Sequence, residues 1–196
     1  MANYAVFASG RGTNFRSIES ALRDTRHSLV CLVTDRPDCP AAGYAASREI
    51  DVVPLEYRGR DKGDLERELV GVLDKKAVEL CVLAGFMRLL SPVMVDAFPK
   101  RIVNIHPSLL PKYPGVGAIE KSFQSGDTVA GITIHYVDYG MDTGTVIVQK
   151  TFSRESGETI ESFEARIHSL EHRTYPQVVG RLLDACDAAP SVRTCR

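Results

Sequence analysis

The stretch Val103-Asn104-Ile105-His106-Pro107-Ser108-Leu109-Leu110-Pro111 reads as a buried strand that ends in a proline-stiffened loop. On extended backbone, residues two apart point the same way, so Asn104 and His106 share a face. An asparagine amide can donate to a developing oxyanion, and an imidazole can move a proton near neutral pH. The pair suits attack on a carbonyl carbon. The plain alternative is an Asn that caps the loop and a His satisfied by backbone. Two polar groups side by side at a strand's carboxyl end favour the chemical reading.

Upstream of this strand, strand and helix patterns alternate. Tyr4 to Ala8, Leu29 to Val33, Asp51 to Leu55 and Glu79 to Ala84 are short apolar runs. Between them, Phe15, Ile18 and Leu22, then Ala41 to Arg48, then Leu65, Leu69, Val72 and Leu73 follow helical spacing. Ser91-Pro92 marks a further helix start. Continuous apolar strands separated by helices argue for a mostly parallel, Rossmann-like sheet covered on both faces. Downstream the rhythm changes. Ala130 to Val137 and Thr145 to Phe152 read as longer strands, antiparallel or mixed, around a glycine-containing loop. Thr159 to about Ala185 is helical, with Pro176 expected to kink or divide it. This is an α/β chain with antiparallel strands in its second half. A single domain over 1–187 and a flexible tail over 188–196 are expected.

Bulk properties narrow the partners. Lys+Arg number 24 against Asp+Glu 25 in 196 residues, a formal charge of -1. No global basic field marks a nucleic-acid binder, so small-molecule partners are expected. No apolar run approaches the roughly 20 residues that span a bilayer. Met1 to Phe7 lacks the basic start of a signal peptide. Five cysteines without a Cys-x-x-Cys spacing fit buried thiols in a reduced, cytoplasmic protein.

Two further segments carry chemistry. Ser9-Gly10-Arg11-Gly12-Thr13-Asn14 follows the first strand and opens a helix, where backbone N–H groups and side-chain donors can hold a phosphate. A plain strand–helix turn remains the other reading. A dinucleotide fingerprint, with Asp35 as the ribose-binding acid, would want a third glycine at position 15, which is Phe15. The second segment, Met141-Asp142-Thr143-Gly144, is either an ordinary turn or the source of a carboxylate for His106. Such a neighbour favours the imidazolium. His106, His135 and Asp142, or His168 and His172, could meet around a metal, but neither set has the His-Glu-x-x-His arrangement, and no metal is expected.

In chain order, Ala8 to Asn14, Leu83 to Pro92, Asn104 to Gly115 and Met141 to Gly144 closely resemble the phosphoribosylglycinamide formyltransferases, a folate-dependent family of purine synthesis. The resemblance runs from the first strand to about Pro176. It implies that Asn104, His106 and Asp142 are catalytic. It puts Gly12, Thr13, Asn14, His168 and Glu171 at the ribonucleotide. Lys62, Met87, Arg88, Leu89 and Leu90, with the loop Asp138, Tyr139, Gly140 and Met141, fall at the folate. The implied co-substrate is 10-formyltetrahydrofolate, and the enzyme would be a monomer or homodimer. Lys62 stands where the family commonly has an arginine, and Val116 to Lys121 lacks a histidine that some members carry. A deformylase using the same trio with water, a methionyl-tRNA formyltransferase, a sugar-nucleotide formyltransferase, a phosphosugar-binding module and a dinucleotide oxidoreductase are the competing readings. The intact trio weighs against the binding module, and Phe15 against the oxidoreductase.

Overall fold

The apolar runs of the first half become strands separated by helices: β1 (Asn3–Phe7), α1 (Thr13–Leu22), β2 (Ser28–Thr34), α2 (Pro40–Ser47), β3 (Val52–Pro54), α3 (Lys62–Lys75), β4 (Val78–Leu83), α4 (Pro92–Ala97) and β5 (Ile102–His106). The second half adds α5 (Ala118–Gln124), β6 (Val129–Tyr136), β7 (Val146–Ser153) and α6 (Ile160–Ala188). This computed structural model describes residues 1–188, so all but the first residue of the expected tail, 188–196, lies outside the described residues.

The strands form one sheet in the order β3-β2-β1-β4-β5-β6-β7. Pairs from β3 to β5 are parallel, and β6 and β7 are antiparallel. This is the expected mixed architecture. From β1 the chain moves outward to β3, then crosses back to place β4 on the other side of β1. Such a reversal opens a crevice at the carboxyl ends of β1 and β4, where ligands bind in sheets of this kind.

The two-residue strand period sorts side chains into two cores. Tyr4, Val6, Leu80, Val82, Val103, Ile105, Ile132 and Ile134 pack beneath α1 and α6, against Phe15, Ile18, Phe163, Ile167 and Tyr175. On the opposite face Phe7, Cys31, Val33, Cys81, Leu83 and Ile102 pack against Leu65, Leu69 and Leu73 of α3 and Met94 of α4. No residue of β6 joins that second core. The β5–β6 end of this face is therefore left for polar side chains.

Two differences from the sequence reading have physical causes. Pro176 does not divide α6, which runs unbroken from Ile160 to Ala188. A proline frees the carbonyl four residues earlier, and here the Ser17 hydroxyl of α1 donates to the His172 carbonyl at 2.8 Å. A neighbouring helix thus replaces the missing bond. The helix α5 has no counterpart in the sequence reading, because its 7 residues carry too little periodic signal. No helix among the described residues is long and apolar enough to cross a membrane.

Candidate active site

Strand parity puts Ile102, Asn104 and His106 on the face that α3 and α4 cover only in part. The antiparallel register then sets His135 opposite Asn104 and Thr133 opposite His106. Thr133 ties down the proline loop: its hydroxyl donates to Ser108 O at 2.7 Å and accepts from Leu110 N at 3.0 Å. Asp142 comes from the β6–β7 connection, in the left-handed region at φ 56. Aspartate tolerates that conformation better than most side chains.

These groups converge. Asp142 Oδ2 lies 3.3 Å from His106 Nδ1 and accepts from Gly115 N at 2.8 Å. Asp142 Oδ1 lies 3.5 Å from His135 Nε2 and 3.4 Å from Asn104 Nδ2. His106 Nε2 sits 2.8 Å from the Tyr113 carbonyl, which can only accept, so this nitrogen carries a proton. With a carboxylate at its other nitrogen, the ring fits the doubly protonated imidazolium. The same logic protonates His135 Nδ1, 2.8 Å from the Tyr136 carbonyl. The His135 ring first, then the Gly115 N–H and the charge on His106, outweigh burial and hold Asp142 lowered from 3.8 to about 2. It is a carboxylate throughout the physiological range.

The trio closes one end of a cavity of about 330 Å³. Its walls are Met87, Arg88, Leu89 and Leu90 on one side, Val116 to Ile119 on another, and Gly140 with Met141. Met87, Leu89, Val116 and Met141 are large apolar residues left exposed around it. Such a cluster marks a binding surface rather than a solvated one. Three residues assigned to the folate do not line the cavity. Lys62 Nζ donates to the Leu89 carbonyl. Asp138 accepts from Gly140 N at 3.1 Å and from the Thr143 hydroxyl at 2.7 Å, bracing its own loop. The Tyr139 hydroxyl donates to Asp96.

The glycine loop makes a second constellation. Gly12 caps α1 at φ 71, and a Cβ there would sit 2.7 Å from Ala41 Cβ, so only glycine fits. No side chain caps the helix, which leaves its first N–H groups open to a ligand. Asn14 Nδ2 donates to Glu171 Oε2 at 3.0 Å, and His168 Nδ1 reaches the same oxygen at 2.9 Å. Asn14 Oδ1 is buried without a partner. Gly12, Thr13, Asn14, His168 and Glu171 thus come together. Glu171, and then Glu164, raise the pKa of His168 above 6.5 despite burial. The Asp35 side chain is only 2% exposed and is occupied by Arg88 and the Ser9 hydroxyl, so it is not placed as a ribose-binding acid of the dinucleotide kind.

Residues 2–179 match the family model described as formyl transferase. The chain belongs to the formyl transferase family. It is 42% identical to the phosphoribosylglycinamide formyltransferase of Bacillus subtilis (strain 168), covering 93% of this chain and 95% of that one. A chloroplastic phosphoribosylglycinamide formyltransferase of Arabidopsis thaliana is 39% identical; the match covers 92% of this chain and 65% of that protein. The crystal structure of glycinamide ribonucleotide transformylase 1 from Geobacillus kaustophilus superposes with a TM-score of 0.89 at 41% identity, over 93% of this chain and 99% of that one. The resemblance read from the motifs agrees with these matches. Sequence reasoning weighed His135 in this formyltransferase only as a metal ligand; its odd-numbered parity with Thr133 on β6 was the available signal. The Tyr113 carbonyl and Gly115 N–H are backbone groups and leave no residue-type trace.

Proposed function

We propose that this formyltransferase moves the formyl group of 10-formyltetrahydrofolate to the amine of 5-phosphoribosylglycinamide, a step of purine biosynthesis. The observation that carries the reading is the meeting of Asn104, His106 and Asp142 in a cleft walled largely by apolar side chains. An apolar slot with exposed backbone groups suits a flat pterin, whose polar edge needs paired donors and acceptors. Met87, Arg88, Leu89, Leu90, Gly140 and Met141 would form that slot. Asp138, Tyr139 and Lys62 would act by holding its segments in place. The open first turn of α1, with Gly12, Thr13 and Asn14, suits the phosphate. Glu171, steadied by His168, suits ribose hydroxyls.

The transfer is direct. Holding both substrates in one cleft supplies the proximity term. The amine attacks the formyl carbon, and the oxyanion that forms takes hydrogen bonds from Asn104 and the imidazolium of His106. Asn104 Nδ2 makes only long contacts, 3.3 Å to His135 and 3.4 Å to Asp142, so it can turn to the oxyanion at small cost. On His106 the short Nε2 bond to Tyr113 orients the ring. The longer Nδ1 contact to Asp142 is the one a substrate can displace. The imidazolium gives its Nδ1 proton to the departing folate nitrogen as the bond from the formyl carbon breaks. The neutral ring, held by Asp142, then takes the proton lost by the attacking nitrogen, which restores the starting state. The scheme calls for no metal. A monomer or homodimer, a cytoplasmic setting and a single unit over 1–187 complete the reading; the family match over 2–179 supports the last of these.

One assay tests it. The protein is mixed with 10-formyltetrahydrofolate, with and without glycinamide ribonucleotide, and folate release is followed. Release that depends on the ribonucleotide is expected. Release in water alone would replace the transferase by a hydrolase, and no release would leave a binding module.

A further inference from the structure

The glycine loop and the folate-side segment are joined at Ser9, by its backbone and by its hydroxyl. Ser9 N donates to Gly85 O at 3.1 Å, and Met87 N donates to the Ser9 hydroxyl oxygen at 3.0 Å. That hydroxyl gives its own hydrogen to Asp35 Oδ1 at 2.5 Å. The other Asp35 oxygen accepts from Arg88 Nε at 2.7 Å, and the Arg88 guanidinium lies 5.2 Å from the Tyr57 ring centre. Asp35 follows directly on β2 and has a side chain only 2% exposed. Burial disfavours its charge, but the bonds from Ser9 and Arg88 overcome that and hold the carboxyl below the ordinary range.

The acceptor-only character of a carboxylate matters here. A serine hydroxyl has one hydrogen to give, and giving it to Asp35 keeps its lone pairs turned to the Met87 N–H. A neutral amide at position 35 has one acceptor and one donor end. Facing Ser9 with its oxygen, it would set an NH2 against Arg88. Facing Arg88 with its oxygen, it would donate to Ser9 and leave the Ser9 hydrogen without its acceptor, so that nothing holds the hydroxyl's orientation. Either way one link of the chain from Arg88 to Ser9 is lost.

We propose that Asp35 is a positioning residue that couples the ribonucleotide site to the folate site through the Ser9 hydroxyl. The inference rests on the functional reading above. A ligand that orders Gly10 to Asn14 also orders Ser9, and with it Met87 and Arg88. The second ligand then meets a segment that has less disorder to lose, and by linkage the effect is reciprocal.

The test is calorimetric titration of the wild type, Asp35→Asn and Ser9→Ala with glycinamide ribonucleotide and with tetrahydrofolate. Each ligand is titrated alone and in the presence of saturating amounts of the other. In the wild type each ligand is expected to tighten the other by at least about fivefold, the lower end of ordinary coupling. Both variants should bring that factor to within about twofold of unity. Ser9→Ala removes a single oxygen and keeps the test alive should Asp35→Asn fold poorly. A merely structural role would lower the melting temperature and leave the coupling unmoved, and that result overturns the proposal. So does a wild type in which the two ligands bind without influencing each other. A wild type that binds neither ligand overturns the functional reading and this inference with it.

Discussion

At Asp142 a single carboxylate touches His106, His135, Asn104 and the Gly115 N–H, so its charge serves the fold as well as the proposed chemistry. Replacing it or His106 with alanine should lower kcat by about a hundred- to ten-thousand-fold, the usual contribution of a placed proton-transfer group. Steady-state kinetics beside a circular dichroism spectrum would check this; near-normal turnover in a folded variant removes the mechanism. Asp142 also has a pH signature. Its folded pKa, lowered to about 2, lies below the ordinary 3.8. Its stabilisation is therefore present above the unfolded value and lost as pH falls through the folded one. Urea midpoints of wild type and Asp142→Asn should accordingly converge between about pH 4 and about pH 2. A constant gap across that window would contradict the contacts described. His168 has the opposite sign: its raised pKa contributes stability that is full below 6.5 and lost as pH rises through the folded value.

At the scale of elements, α6 shows how a local rule is overridden. Proline inside a helix normally costs about 3 kcal/mol or more through its lost bond and steric clash. Here α1 supplies the Ser17 hydroxyl to the orphaned His172 carbonyl. Ser17→Ala should destabilise the protein by about 1 kcal/mol in denaturant unfolding, the low end of the cost of an unsatisfied acceptor, because this one is part-buried. In a Pro176→Ala background the backbone N–H returns, and the same change should cost distinctly less. Equal costs in both backgrounds would mean the two residues are not coupled. Much of this level was legible beforehand. Apolar runs marked the strands, and their lack of alternation marked a sheet covered on both faces. The helix α5 was not legible, because a 7-residue helix spans barely two turns.

For the whole molecule, the β4–β5 junction matters most, since the segment proposed to hold the folate follows one strand, and Asn104 and His106 sit on the other. Tyr175 of α6 fastens it: its buried hydroxyl shares its one hydrogen between Leu83 O at 2.8 Å and Val103 O at 3.1 Å. Tyr175→Phe should lower stability by about 1–3 kcal/mol, because two strand carbonyls lose a partner away from water. The loss should appear as a lower melting temperature, with a smaller change in kcat than either catalytic substitution produces. Unchanged melting would show that water replaces the hydroxyl.

Backbone periodicity is local, so the chain alone determined which side chains share a strand face. Asn104 with His106 follows from a two-residue repeat, and the turn into α1 follows from Gly10 and Gly12. The motifs in chain order were enough to indicate the family. What joined them was decided by the tertiary structure. Asp142 reaches His106 because β6 returns antiparallel beside β5, in a register that faces His135 with Asn104. Asp35 reaches Ser9 and Arg88 because β1 lies between β2 and β4. Those meetings depend on strand order and register, which arise when the sheet buries both faces at once and are written in no local stretch of residues.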